Sequence, residues 1–131
     1  MSDALRLLCR PDSVSEIASD EHAFASPELL RHVLENPVAN ALHAAQTAAA
    51  PQVTVRVYSL TGESRVSVRD NGLGVPAHLR ERIFEPFFTT REEGTGVGLA
   101  LCRELVARMG GALTLSSTGG GARFRVRLRP A

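Results

Sequence analysis

The stretch Val66–Leu101, VSVRDNGLGVPAHLRERIFEPFFTTREEGTGVGLAL, constrains this chain more than any other. Its opening residues alternate as a strand, so Asp70 falls in phase with Val66 and Val68 and points to the buried side. An ionised carboxylate is not left there without a partner. Two partners are open to it: the backbone amides of the turn that follows, which an aspartate readily caps, or a ligand. Gly72 and Gly74 directly after it weigh toward the ligand, and a second glycine-rich turn, GTGVG, opens a helix further on. One carboxylate at a strand end with glycines on two loops is what a nucleotide pocket needs.

Upstream, Ser26-Pro27-Glu28 reads as a helix start, with Ser26 as N-cap, proline at the first helical position and an acid in the first turn. Leu30, Leu34, Val38, Ala41 and Ala45 then recur as one buried stripe of a long helix ending near Thr47. Asn36, Asn40 and His43 form a second stripe on another side of that helix, at the edge of whatever it packs against. Pro37 removes the backbone bond back to Val33, so a kink beside Asn36 is expected.

The remaining elements follow from local pattern. Leu5–Cys9 reads as a short strand, and residues 12–26 as mostly loop, with few apolar residues to bury. Val53, Val55 and Val57 alternate with Thr54, Arg56 and Tyr58 in a strand that turns at Thr61-Gly62-Glu63 and returns through Ser64–Asp70. Pro76–Ile83 reads as a single short helix. Phe84, Phe87 and Phe88 lead into a polar tip, residues 89–93, whose flanking glycines imply a moving loop. Leu99, Cys102, Leu105, Val106 and Met109 mark the inner face of a helix stopped at Gly110-Gly111. Ala112–Ser117 and Arg123–Leu128 close a hairpin. These elements predict an α/β (α+β) two-layer sandwich with a mixed, largely antiparallel sheet of about five strands and helices on one face.

At 131 residues the chain fits one domain, residues 1–131, with a less regular segment over 1–26. A net charge of +1 gives no electrostatic reason to expect nucleic acid. Arg123, Arg125, Arg127 and Arg129 alternate with Phe124, Val126 and Leu128, as the wet face of a strand does. Cys9 and Cys102 are isolated and show no zinc spacing, which suits a reducing cytosol. No apolar run is long enough to cross a bilayer and no signal pattern opens the chain. The start at MSDALRLL and the stop just after a strand suggest a piece of something larger.

The glycine turns match neither a P-loop, which needs GxxxxGK[ST], nor the dinucleotide fingerprint, which needs a parallel unit. Gly96 and Gly98 sit where a helix begins, so backbone amides and the positive helix end can face a phosphate. Together the segments resemble the histidine-kinase-type ATPase superfamily, above all the catalytic domain of two-component sensor histidine kinases. The resemblance runs from about Ser26 to Arg129. ENPVANALHA looks like the N box, DNGLGVP the first G box, FEPFF the F box and GTGVGLAL the second G box, and the short FFTTREEGTG lid is similar to that of nitrogen-regulatory sensors.

The resemblance implies a Bergerat-type ATP-binding fold and a set of roles. Asp70 would accept a hydrogen bond from the adenine amino group, with Gly72 and Gly74 shaping the purine pocket. Asn40 would ligate Mg²⁺ and Asn36 would polarise the attacking nucleophile, while His43 would reach phosphate. Gly94, Gly96 and Gly98 would cover the triphosphate, with Thr90 or Arg91 at its end and Phe88, Thr95, Val97 and Leu99 completing the nucleotide contacts. None of the four histidines fits the phosphoacceptor, so a separate helical-hairpin domain of the parent kinase and a downstream response regulator are implied. The isolated chain is expected to be monomeric and cytoplasmic, from a parent that can be membrane-anchored. Two rival readings stay open: a serine kinase acting on a regulatory partner, and a nucleotide-binding signalling module without phosphotransfer, to which Pro37 would lead if it re-aimed Asn36.

Overall fold

Strand β1 (Glu16–Ser19) lies at one edge of a five-stranded sheet of order β1-β2-β3-β5-β4, pairing in parallel with β2 (Val53–Leu60). The other neighbours, β2 with β3 (Glu63–Asp70), β3 with β5 (Gly121–Leu128) and β5 with β4 (Ala112–Thr118), are antiparallel. This computed structural model describes residues 16–19, 27–85, 98–118 and 120–128. The expected mixed, largely antiparallel sheet is therefore present.

The first hairpin closes through Thr61 at φ 51° and Gly62 at φ 82°, so both central residues are left-handed. Such a two-residue turn matches the right-handed strand twist and sets the register, Leu60 opposite Glu63. That register carries Val53, Val55, Val57, Val66 and Val68 to one face, where all are buried. Phe124, Val126 and Leu128 join them from β5, and Leu113 from β4.

Helices α1 (Pro27–Ala45) and α2 (Gly98–Arg108) cover that face. From α1, Val33, Leu34, Val38, Ala41 and Ala45 enter the core; from α2, Cys102 and Val106 do. A buried valine or leucine stabilises by about 1.5–3 kcal/mol, so this shared layer holds the two helices to the sheet. The helix α1 runs through Pro37 without interruption, and Pro37 itself is fully buried. At the end of α2, Gly110 takes φ 77°, its amide donating to Ala107 O (3.0 Å) and that of Gly111 to Val106 O (3.0 Å). These paired bonds close off the last carbonyls of the helix.

Two expectations are corrected. Within the segment read as mostly loop, Glu16–Ser19 form β1. Four residues are too few for alternation to show, and the strand forms because the edge of β2 offers an unpaired row of backbone groups. The single helix expected over Pro76–Ile83 is instead two 3-10 turns, Ala77–Leu79 and Arg82–Phe84. Their backbone bonds all run three residues back, as in Leu79 to Pro76 (2.9 Å) and Glu85 to Arg82 (2.9 Å). Between them Arg80 turns to the sheet, donating from Nε to Val75 O (3.2 Å) and from Nη2 to Ser117 O (3.1 Å). Phe84 then anchors the second turn edge-on to Phe124, ring centroids 6.3 Å apart. The expected strand at Leu5–Cys9 and the Ser26 cap lie outside the described residues.

Candidate functional site

Asp70 ends β3 on the helix-covered face with only 2% of its surface exposed. Its Oδ1 accepts the Gly72 amide at 2.9 Å, so the turn-capping alternative is realised at that oxygen. Burial raises the Asp70 pKa above its ordinary 3.8, although the amides of Gly72 and Ala122 pull the other way. Desolvation therefore outweighs the two amide bonds at this carboxylate. The turn itself is close-packed. A Cβ at Gly72 would collide with the carbonyl of Ala44 in α1, so no side chain stands between Asp70 and that helix. Gly74 takes φ 80°, a conformation that favours glycine.

Residues outside the expected set hold this turn in place. Asn71 Oδ1 accepts the Gln52 amide (2.8 Å) and its Nδ2 donates to Ala50 O (2.8 Å). Ser117 Oγ accepts the Val75 amide at 2.7 Å and donates to Gly121 O at 3.1 Å. Asn71 lies inside the DNG turn, but its partners are 19 and 21 residues upstream rather than in the turn, so its local pattern gave no signal of these bonds. Ser117 carried none either, because its partner lies 42 residues away.

Helix α1 supplies the opposite wall. Asn36 and Asn40 are half-buried, and Asn40 Nδ2 donates to Asn36 O at 2.9 Å. That bond commits the nitrogen of the carboxamide and leaves Oδ1 as its acceptor for something else. His43, further along, is exposed. The side chain of Asn36 meets the start of α2: a Cβ on Gly98 would collide with Asn36 Oδ1. Thus α1 touches Gly98 at Asn36 and Gly72 at Ala44, about 12 Å apart at the helical rise per residue, with Asn40 between. The first amides of α2 lack helical partners and carry the positive end of the helix dipole.

The structure therefore brings Asp70, Gly72, Asn36, Asn40 and Gly98 around one side of α1, with the half-buried Leu99 next to Gly98. Phe88, Thr90, Arg91, Gly94, Thr95, Gly96 and Val97, all expected to contact nucleotide, lie outside the described residues, as does the moving loop.

A family model described as histidine kinase-, DNA gyrase B- and HSP90-like ATPase matches residues 25–131. The chain belongs to this ATPase family. The sensor protein DctB of Rhizobium meliloti is 36% identical over 129 residues, covering 98% of this chain and 20% of DctB. The sensory histidine kinase/phosphatase NtrB of Salmonella typhimurium is 34% identical over 138 residues, covering 98% of this chain and 38% of NtrB. Among solved structures, a nucleotide-free catalytic domain of the histidine kinase ThkA superimposes with a TM-score of 0.76 at 28% identity, covering 95% of this chain and 84% of that one. This ATPase domain thus spans about a fifth of DctB and well under half of NtrB. No described helix is long and apolar enough to cross a membrane.

Proposed function

We propose that this chain is a single domain, residues 1–131, that binds ATP with Mg²⁺ and passes the γ-phosphoryl group to a histidine on a helical-hairpin domain of its parent sensor kinase. The observation that carries this reading is the placement of Asp70 and its glycine turn at one end of the Asn36–Asn40 face, with the start of α2 at the other. Asp70 accepts the adenine amino group through the buried carboxylate that the Gly72 amide holds in place. Gly72 and Gly74 keep the purine slot open, and Gly98 and Leu99 present amides to the phosphates.

The donors suit a divalent cation. Asn40 Oδ1, its amide already fixed through Nδ2, is the hard oxygen donor that would hold Mg²⁺. Among the described residues no group of three His, Cys, Asp or Glu forms a rival cage. Mg²⁺, when bound, neutralises phosphate charge. Asn36 orients the incoming imidazole, whose nitrogen forms the new bond to phosphorus as the bond to ADP breaks. His43 lies along the same helix toward solvent and reaches the phosphates. Thr90 or Arg91 would contact the terminal phosphate, Gly94, Gly96 and Gly98 would cover the triphosphate, and Phe88, Thr95 and Val97 would complete the nucleotide contacts. Phosphoryl transfer asks chiefly for positioning and charge neutralisation, so this residue set suffices. The parent kinase places the domain on the cytoplasmic side, where a response regulator takes the phosphoryl group onward. The chain alone is monomeric.

The test is acceptor labelling. With radiolabelled ATP and a separate hairpin domain, the label should reach the hairpin, be acid-labile as phosphohistidine, and vanish with Asn40→Ala. An acid-stable label would instead make the chain a serine kinase. Nucleotide binding with no labelled product would leave a binding module.

A further inference from the structure

The face of the sheet opposite the helices carries a grid of arginines. In register, Arg69 of β3 stands directly opposite Arg123 of β5, and Arg65 directly opposite Arg127. Like charges facing each other across strands destabilise a sheet. One of these pairs is neutralised from within: Glu63 reaches Arg65 Nη2 at 2.9 Å and Arg127 Nε at 3.5 Å. The other has no such partner. Among the residues whose side chains are described, no carboxylate pairs with Arg69 or Arg123, nor with Arg56 or Arg125 beside them. Burial, and after it the charges of Arg125 and Arg69, pulls the Arg123 guanidinium below its usual pKa.

These side chains line a furrow of about 380 Å³ floored by Thr54 and Ser67, with Arg56 stacked 5.0 Å from the centre of the Tyr58 ring. A second hollow of about 240 Å³ shares Arg69, Arg123 and Arg125 and runs on to Ser116, and a third of about 220 Å³ shares Arg125 and reaches Arg127. Together they cross from β2 to β4, about 14 Å at the usual strand spacing. That is the reach of an extended segment rather than of one small anion. The arginines sit on paired strands, so their spacing is set before anything binds. How a carboxylate seats on this face is already on view at Glu63, one acid held between two cross-strand guanidiniums.

We propose that this arginine face docks an acidic polypeptide segment of a partner protein, whose carboxylates take between Arg69 and Arg123 the place that Glu63 takes between Arg65 and Arg127. The assay is nucleotide-free, so its outcome is separate from that of the ATP pocket. A labelled oligoglutamate peptide is titrated against the full chain and against Arg69→Gln/Arg123→Gln, with tripolyphosphate and duplex DNA as competitors. The expected result is binding that weakens by about tenfold or more between low and high salt and is lost in the double variant. That variant should melt no lower than the parent chain, because a repulsive pair has been removed, and the two phosphate competitors should bind more weakly than the peptide. Absent binding, binding retained by the double variant, a lower melting temperature in it, or tighter binding of either phosphate polymer would each overturn the proposal.

Discussion

The thiol of Cys102 in α2 donates a hydrogen bond of 3.3 Å to the carbonyl oxygen of Val33 in α1. With any other residue at position 37 that oxygen would accept its amide, but residue 37 is proline and has none. Val33 is fully buried, so its carbonyl would otherwise be an orphan costing about 1–3 kcal/mol. The thiol replaces the missing donor and in doing so ties α2 to α1 one turn from the contact between Gly98 and Asn36.

A double-mutant cycle tests this repair. Cys102→Ala should destabilise the chain by about 2 kcal/mol in urea unfolding, through the lost bond and the lost volume, and Cys102→Ser, which keeps a donor, should cost less. In a Pro37→Ala background, where residue 37 regains its amide, the cost of Cys102→Ala should shrink by about 1 kcal/mol. Strictly additive costs would show that the two residues do not share the Val33 oxygen.

Alkaline stability should report the same thiol. Burial pushes Cys102 up from its ordinary 9.0 to about 11. Between those values the unfolded chain has lost the proton and the folded chain has kept it, so stability falls as pH rises through the window. The full loss is about 2–3 kcal/mol by linkage. Melting temperatures measured from pH 8 to pH 11 should drop more steeply for the parent chain than for Cys102→Ser.

Asp70 should trade stability for ligand. Because its pKa is raised, the folded state holds more protons than the unfolded one from pH 3.8 up to the folded value. Stability therefore falls as pH rises through that interval. Asp70→Asn removes the charge, so its melting temperature should hold or rise. Calorimetry should find ATP affinity reduced by about 2 kcal/mol, roughly thirtyfold, for the lost charge-assisted bond. A lower melting temperature with unchanged affinity would mean that Asp70 serves only the turn.

The two close-packed glycines should differ in severity. A Cβ at Gly98 meets the end of the Asn36 side chain, which can rotate aside, whereas one at Gly72 meets the backbone of Ala44. Gly98→Ala should cost about 1 kcal/mol of stability, and Gly72→Ala about 3 kcal/mol. Adding Asn36→Ala should rescue the stability of Gly98→Ala and leave that of Gly72→Ala where it was. Thermal melts of the four variants decide it.

Local pattern was enough to place much of this site. Alternation through Val66 and Val68 put Asp70 on the buried face, helical spacing put Asn36 and Asn40 on one side of α1, and the glycine turns marked where backbone must come close. These readings succeed because strand and helix periods decide which way a side chain points, and that is written in neighbouring residues. What the tertiary structure decided were meetings between distant residues. The edge of β2 made a strand of Glu16–Ser19, Arg80 turned to Ser117 and split an expected helix, and Cys102 answered for Pro37 from 69 residues beyond Val33. A hydrogen bond across that separation forms only after the core has brought the two segments together, so no local period can announce it.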